Sequence, residues 1–274
     1  MTSTLELIAL FDRWYERPDN VSIGDSNGRI IYSEDPGDLW RQVDPEAERV
    51  PSFKELIALR VAAFEGLYDA IPYLNNIEGI LVNRNELVLN QIAASIQKEF
   101  ERIPENYNIW KTRLTSSTCM VRVEGSVYFY DGNPFDTREE YISAFSGEQS
   151  DGGIPYNEKA IQRIQESPEA SLISYEQYLA AQGGNFNGES WYNHPIFSAA
   201  CPDNQLFAEY VLAMQILNLN DLFNQGFHCG WRPGEMRPGF GRPIALGYKA
   251  DAFYPPNNDT VDHAALVLAT TNQY

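Results

Sequence analysis

The sequence predicts an α+β fold: a helix-rich body with short antiparallel β-hairpins and a β-containing C-terminal segment. Three observations carry this. Two capping boxes, Ser3/Glu6 and Ser52/Glu55, each open an apolar stripe at helical spacing. From Thr118 the period drops to two, as a strand requires. Two more strand-like runs, from Arg242 to Tyr254 and from Val261 to Thr271, fill the last part of the chain. Helices and strands gathered in separate stretches point to α+β architecture. The 274 residues are read as one domain over 1–274, with a C-terminal β subregion from about residue 226 as its one candidate internal boundary.

The first helix carries Leu7, Leu10, Phe11 and Trp14 and stops at Pro18. Val21–Ile23 and Arg29–Tyr32 flank Asp25-Ser-Asn-Gly28, and Asn27-Gly28 is the dipeptide that favours a tight hairpin turn. Residues 32–51, rich in Asp, Glu and Pro, are expected to form a surface loop anchored by Trp40. Phe53, Leu56, Ile57, Val61, Phe64, Leu67 and Tyr68 then form a broad stripe ended by Pro72, and a further helix is expected from about Arg84 to Arg102. Thr118–Glu124 and Val127–Tyr130 read as a hairpin turning at Gly125-Ser126. Asp136 is the expected cap of a helix through Tyr141 and Phe145. After the connector 147–153, helices are expected near Asn157–Gln165 and Ser174–Gln182. A second loose loop covers 183–188, and Pro202 is expected to open a helix through Leu206, Phe207, Tyr210, Val211, Met214 and Leu217.

The net charge of −18 argues against a polyanion partner, because nucleic-acid binders exchange counterions through a basic face. No apolar run approaches bilayer length, so a membrane role is not expected. The amino terminus reads as a helix and not as a signal peptide, and a protein of the cytoplasm or of a virion-like particle is expected. Three widely spaced cysteines, Cys119, Cys201 and Cys229, read as free thiols.

Four constellations could carry chemistry. Cys201 stands before Pro202 at an expected helix start, where the dipole would favour a thiolate, with His194 as its nearest histidine. This pair is the alternative catalytic site. A metal could draw on His228 and His263 with Cys229 and Asp262, although each adjacent pair faces opposite ways on a strand. Asp131, Asn133 and Asp136 superficially look like a calcium loop, yet Pro134 interrupts it and its last acidic ligand is absent. No phosphate-cradling glycine motif is present, and no cofactor is expected.

The fourth constellation is the most distinctive. The chain has no Lys or Arg between Arg163 and Arg232, and then reads WRPGEMRPGFGRP, with Arg232, Arg237 and Arg242 five apart. Pro and Gly give a stiff, irregular segment, guanidinium groups recognise carboxylate or phosphate in two-point fashion, and Trp231 and Phe240 add area to bury. Trp231, Arg232, Arg237, Phe240 and Arg242 are therefore the candidate interface or anion-binding residues. The function expected is structural: a subunit of a larger protein particle, docking through this loop onto copies of itself or other subunits. The alternative is a cytoplasmic enzyme acting on a small anionic substrate through a Cys/His reactive group.

Overall fold

A computed structural model describes residues 20–23, 26–33, 36–68, 114–146, 154–182, 194–217, 236–246 and 263–269. The expected helices before Pro18 and at 84–102 lie outside these residues. So do the connectors 147–153 and 183–188 and the Pro255-Pro256 turn.

The expected mixture of helices and antiparallel sheets is present. In chain order the elements are β1 (Asn20–Ile23), β2 (Ser26–Ser33), α1 (Pro36–Arg41), β3 (Glu48–Arg49), α2 (Phe53–Tyr68), β4 (Leu114–Val123) and β5 (Ser126–Asp131). Then come α3 (Arg138–Ser146), β6 (Ile154–Pro155), α4 (Glu158–Glu166), β7 (Ser171–Ser174) and α5 (Tyr175–Gln182). Helices α6 (Pro195–Ala200) and α7 (Asn204–Leu217) and strands β8 (Phe240–Leu246) and β9 (His263–Ala269) follow. One sheet has the order β1-β2-β9-β3 and the other β6-β8-β4-β5-β7.

Among the described residues the two C-terminal strands join different sheets. β9 pairs with β2 and β3, whereas β8 lies between β6 and β4. Each closes a sheet begun by much earlier residues, so the expected boundary near 226 has no counterpart in the strand pairing. The sheets bury a shared core containing Ile31, Ala265 and Val267 from one and Cys119, Val121 and Ile154 from the other, with Leu39, Trp40, Tyr141 and Ile164 beside them. On the other side of the larger sheet, α2, α6 and α7 build a second apolar cluster. Phe197 stands 6.3 Å from Phe53 and 4.8 Å from Phe207, ring to ring.

Local signals behaved unevenly. The Ser52/Glu55 capping box forms in full: Glu55 N–H donates to Ser52 Oγ at 3.2 Å, and Ser52 N–H donates to Glu55 Oε2 at 2.8 Å. The first hairpin forms, but Ile23 pairs with Ser26, so Asn27-Gly28 lies within β2 and not at its turn. Gly28 is needed there for room: a Cβ would come within 2.9 Å of Leu266 Cδ1 and Leu268 Cδ2. The second hairpin turns one residue early, at Glu124-Gly125, with Glu124 at φ 51°. Residues 32–51 hold α1 and β3 in place of a loop, because Leu39 and Trp40 are buried against the inter-sheet core. The cap of α3 is Thr137, whose Oγ1 accepts from Glu140 N–H at 3.1 Å. Asp136 turns instead to Arg163 and Lys159.

Candidate functional site

The arginine segment is described from Met236 onward; Trp231 and Arg232, like His228 and Cys229, lie outside the described residues. Arg237-Pro238-Gly239-Phe240 is a tight turn closed by Phe240 N–H donating to Arg237 O at 3.0 Å. Proline presets φ at the second position and Gly239, at φ 79°, takes the left-handed third position, which is the chemistry of a type II turn.

Beyond the turn the expected irregular loop is a strand. Phe240, Gly241 and Arg242 belong to β8, inside the larger sheet. Gly241 allows this packing, since a Cβ would lie 2.6 Å from Tyr156 Cε2 and 2.7 Å from Met120 O. Pro243 cannot donate to a ladder, and it sits where the β4–β8 register shifts between Thr115 and Cys119. There Ser116 Oγ donates to Ile244 O at 2.7 Å. Alternation puts Arg242 on the face of β4 that carries Met120 and Arg122, while Gly241 and Pro243 meet Val121 and Cys119 on the core side.

Arg122 holds the turn in place. Its Nη1 donates to Met236 O at 2.6 Å, and its own carbonyl accepts from Gly239 N–H at 2.8 Å. Its Nε donates to Glu124 O at 3.2 Å, and its guanidinium carbon stands 3.5 Å from the centroid of the Tyr175 ring. This is a cation–π contact of the kind that contributes about 0.5–2 kcal/mol. Tyr175 in turn stacks on Tyr178, ring centroids 5.8 Å apart. Met236 is fully buried, so the turn is pinned beneath while Arg237 is exposed. Arg237 makes no ion pair among the described residues, unlike Arg29 with Glu48, Arg49 with Glu55, and Arg163 with Asp136.

The alternative catalytic pair is arranged differently from expectation. Cys201 is not at a helix start: it caps the C-terminal end of α6, its N–H donating to Phe197 O at 2.7 Å. Asp203 begins α7, accepting from Leu206 N–H at 3.1 Å. Burial pushes the Cys201 thiol up. His194 is the N-cap of α6, packed edge-on against Phe197 with ring centroids 5.0 Å apart. Its burial lowers the imidazole to about 4, against the opposite pull of a hydrogen bond with the Ala181 backbone. The two residues stand at opposite ends of a helix, roughly 10 Å apart by the rise per residue. At neutral pH the site holds a thiol and a neutral imidazole, not a thiolate–imidazolium pair.

Cys119 is likewise a buried free thiol, pushed up to about 12 by desolvation beside Tyr156 and Tyr141. The oxygens of the calcium-like stretch serve the fold: Asp131 accepts from Thr118 Oγ1, and Asn133 Oδ1 accepts from Phe135 N–H at 2.9 Å. His263 opens β9, its backbone paired with Ser33. No group of three or more His, Cys, Asp or Glu among the described residues could hold a metal ion. No helix among them is long and apolar enough to cross a membrane.

A solved structure described as "Accommodation of massive sequence variation in Nanoarchaeota by the C-type lectin fold" is similar to this chain, with a TM-score of 0.58. The likeness is one of fold. Identity is 11%, and the match covers 90% of this chain and 100% of that one. Neither a protein-family model nor a curated protein matches the chain. Within the shared architecture the basic turn rides on a sheet strand, so its position is set by the framework and not by the loop alone.

Of the candidate residues singled out in the sequence, Arg237, Phe240 and Arg242 are described, and Arg122 and Tyr175, which support the turn, were not among them. One signal for Arg122 was present: a charged residue two positions from Met120 in an alternating strand. Its contact with Met236, 114 positions away, left no trace in local pattern.

Proposed function

We propose that this protein is an assembly subunit that docks through its basic turn onto an acidic surface of a neighbouring subunit. The observation that carries this reading is the mounting of Arg237: exposed, without an ion pair among the described residues, on a turn clamped from both ends by Arg122. A guanidinium held on a rigid turn loses less conformational entropy on binding a carboxylate than one on a free loop. The chain's own charge of −18 makes cations scarce, so a solvent-facing arginine without an ion pair among the described residues is a recognition element more than a solubility device.

The similar solved structure supports the same reading from another side. Its description has the C-type lectin fold accommodating massive sequence variation. A framework that accommodates massive sequence variation suits a protein whose work is to present a binding face.

The test is the mass of the native complex, measured by native mass spectrometry on protein isolated without denaturation. A mass above that of one chain is expected. A single chain over the whole accessible concentration range would overturn the reading.

A further inference from the structure

We infer that the basic turn is one end of a longer docking strip, and that the strip takes an acidic peptide segment carrying an apolar anchor residue. This rests on the docking role proposed above and adds the chemistry of the partner. The strip is traced by contacts. Arg237 adjoins Met236, whose carbonyl is bonded to Arg122 at 2.6 Å, and the Arg122 guanidinium covers the Tyr175 ring at 3.5 Å. Tyr175 opens α5, and Leu179 follows four residues later, so the two side chains are neighbours on the helix surface.

Leu179 is 42% exposed, one of two large apolar side chains so exposed among the described residues; Leu172 is the other. Leu172 is paired with Tyr128 on β5, at a register position that faces the opposite side of the sheet from Arg122. Leu179 therefore belongs with the arginines and Leu172 does not. Tyr178, three residues from Tyr175, is buried, which leaves Tyr175 on the border between core and surface with Leu179 on its outer side.

Charge complementarity selects the occupant. The strip presents cations at one end and an apolar contact at the other, on a chain whose net charge is −18. Glu124 is the acid in the turn beside Arg122, and it offers Arg122 its backbone carbonyl; Glu176 follows Tyr175 about 100° around the helix. An acidic segment with a single leucine satisfies both ends. A uniform polyanion satisfies one only.

Fluorescence anisotropy on the full-length protein tests this with labelled twelve-residue Asp/Glu peptides, one carrying a central leucine and one a serine in its place. The leucine peptide is expected to bind roughly three- to tenfold more tightly, a difference that Leu179→Ser should abolish. Arg237→Glu should weaken both peptides by about tenfold or more, and Glu124→Gln should tighten both by about twofold. All three positions are at least partly exposed, so circular dichroism should show an intact fold. Equal binding of the two peptides, still lost with Arg237→Glu, would overturn the strip while leaving the docking role standing. Binding indifferent to Arg237→Glu would overturn both. A single-stranded oligonucleotide that binds more tightly than the leucine peptide would overturn the choice of partner.

Discussion

The basic turn and the two ends of α6 are opposite answers to the same physical question, what to do with a titratable group. At α6 the fold removes His194 and Cys201 from water, and desolvation keeps both neutral near pH 7. At the turn it anchors Met236, Arg122 and Gly239 and leaves the guanidinium of Arg237 in solvent. A nucleophile's residue types are present in the first region without the environment that would activate them. The second has no catalytic residue types, but it has a rigid mount and an available charge. In each region the environment decides whether the group meets solvent as a charge.

The sharpest way to break the contrast is to remove the mount. Gly241→Val would force a side chain into the space of Tyr156 and the Met120 carbonyl, and because one of those atoms is backbone the strand must move. A loss of about 3 kcal/mol in urea unfolding is expected. A variant as stable as the parent would show that β8 does not hold the turn as described.

The α6 region is sharpened by pH. A histidine whose folded pKa is depressed contributes stability that is fully present above its unfolded value of about 6.5 and is lost as pH falls through its folded value. With His194 at about 4, stability should fall between pH 6.5 and 4 by up to about 3 kcal/mol from this group. An NMR titration that places the imidazole near 6.5 would contradict its burial. Under the same logic Cys201 should react with iodoacetamide at pH 7 more slowly than an unfolded control, and preferential labelling of Cys201 would restore the reactive-thiol alternative.

Legibility followed the range of the interactions. The Ser52/Glu55 box and the Arg237-Pro238-Gly239 turn are complete within four residues, and both formed as their residues require. Asn27-Gly28 misled because a glycine that suits a turn equally suits a strand pressed against Leu266 and Leu268. The segment around Trp40 was polar enough to read as a loop, yet burial of Leu39 and Trp40 against distant strands made it helical. Cys201 looked like a helix start because Pro202 follows it, while the hydrogen bond that makes it a C-cap points backward to Phe197. The candidate site was half visible: its arginines stood out in the sequence, whereas Arg122 and Tyr175, which support the turn carrying Arg237, come from separate parts of the chain.

In the proposed docking role the exposed charge of Arg237 makes the contact. Sedimentation velocity of the full chain and of its Arg237→Glu variant, at equal concentration and physiological salt, tests it most directly. The parent is expected to sediment as a complex and the variant as a single folded chain. A variant that sediments with the parent would contradict it.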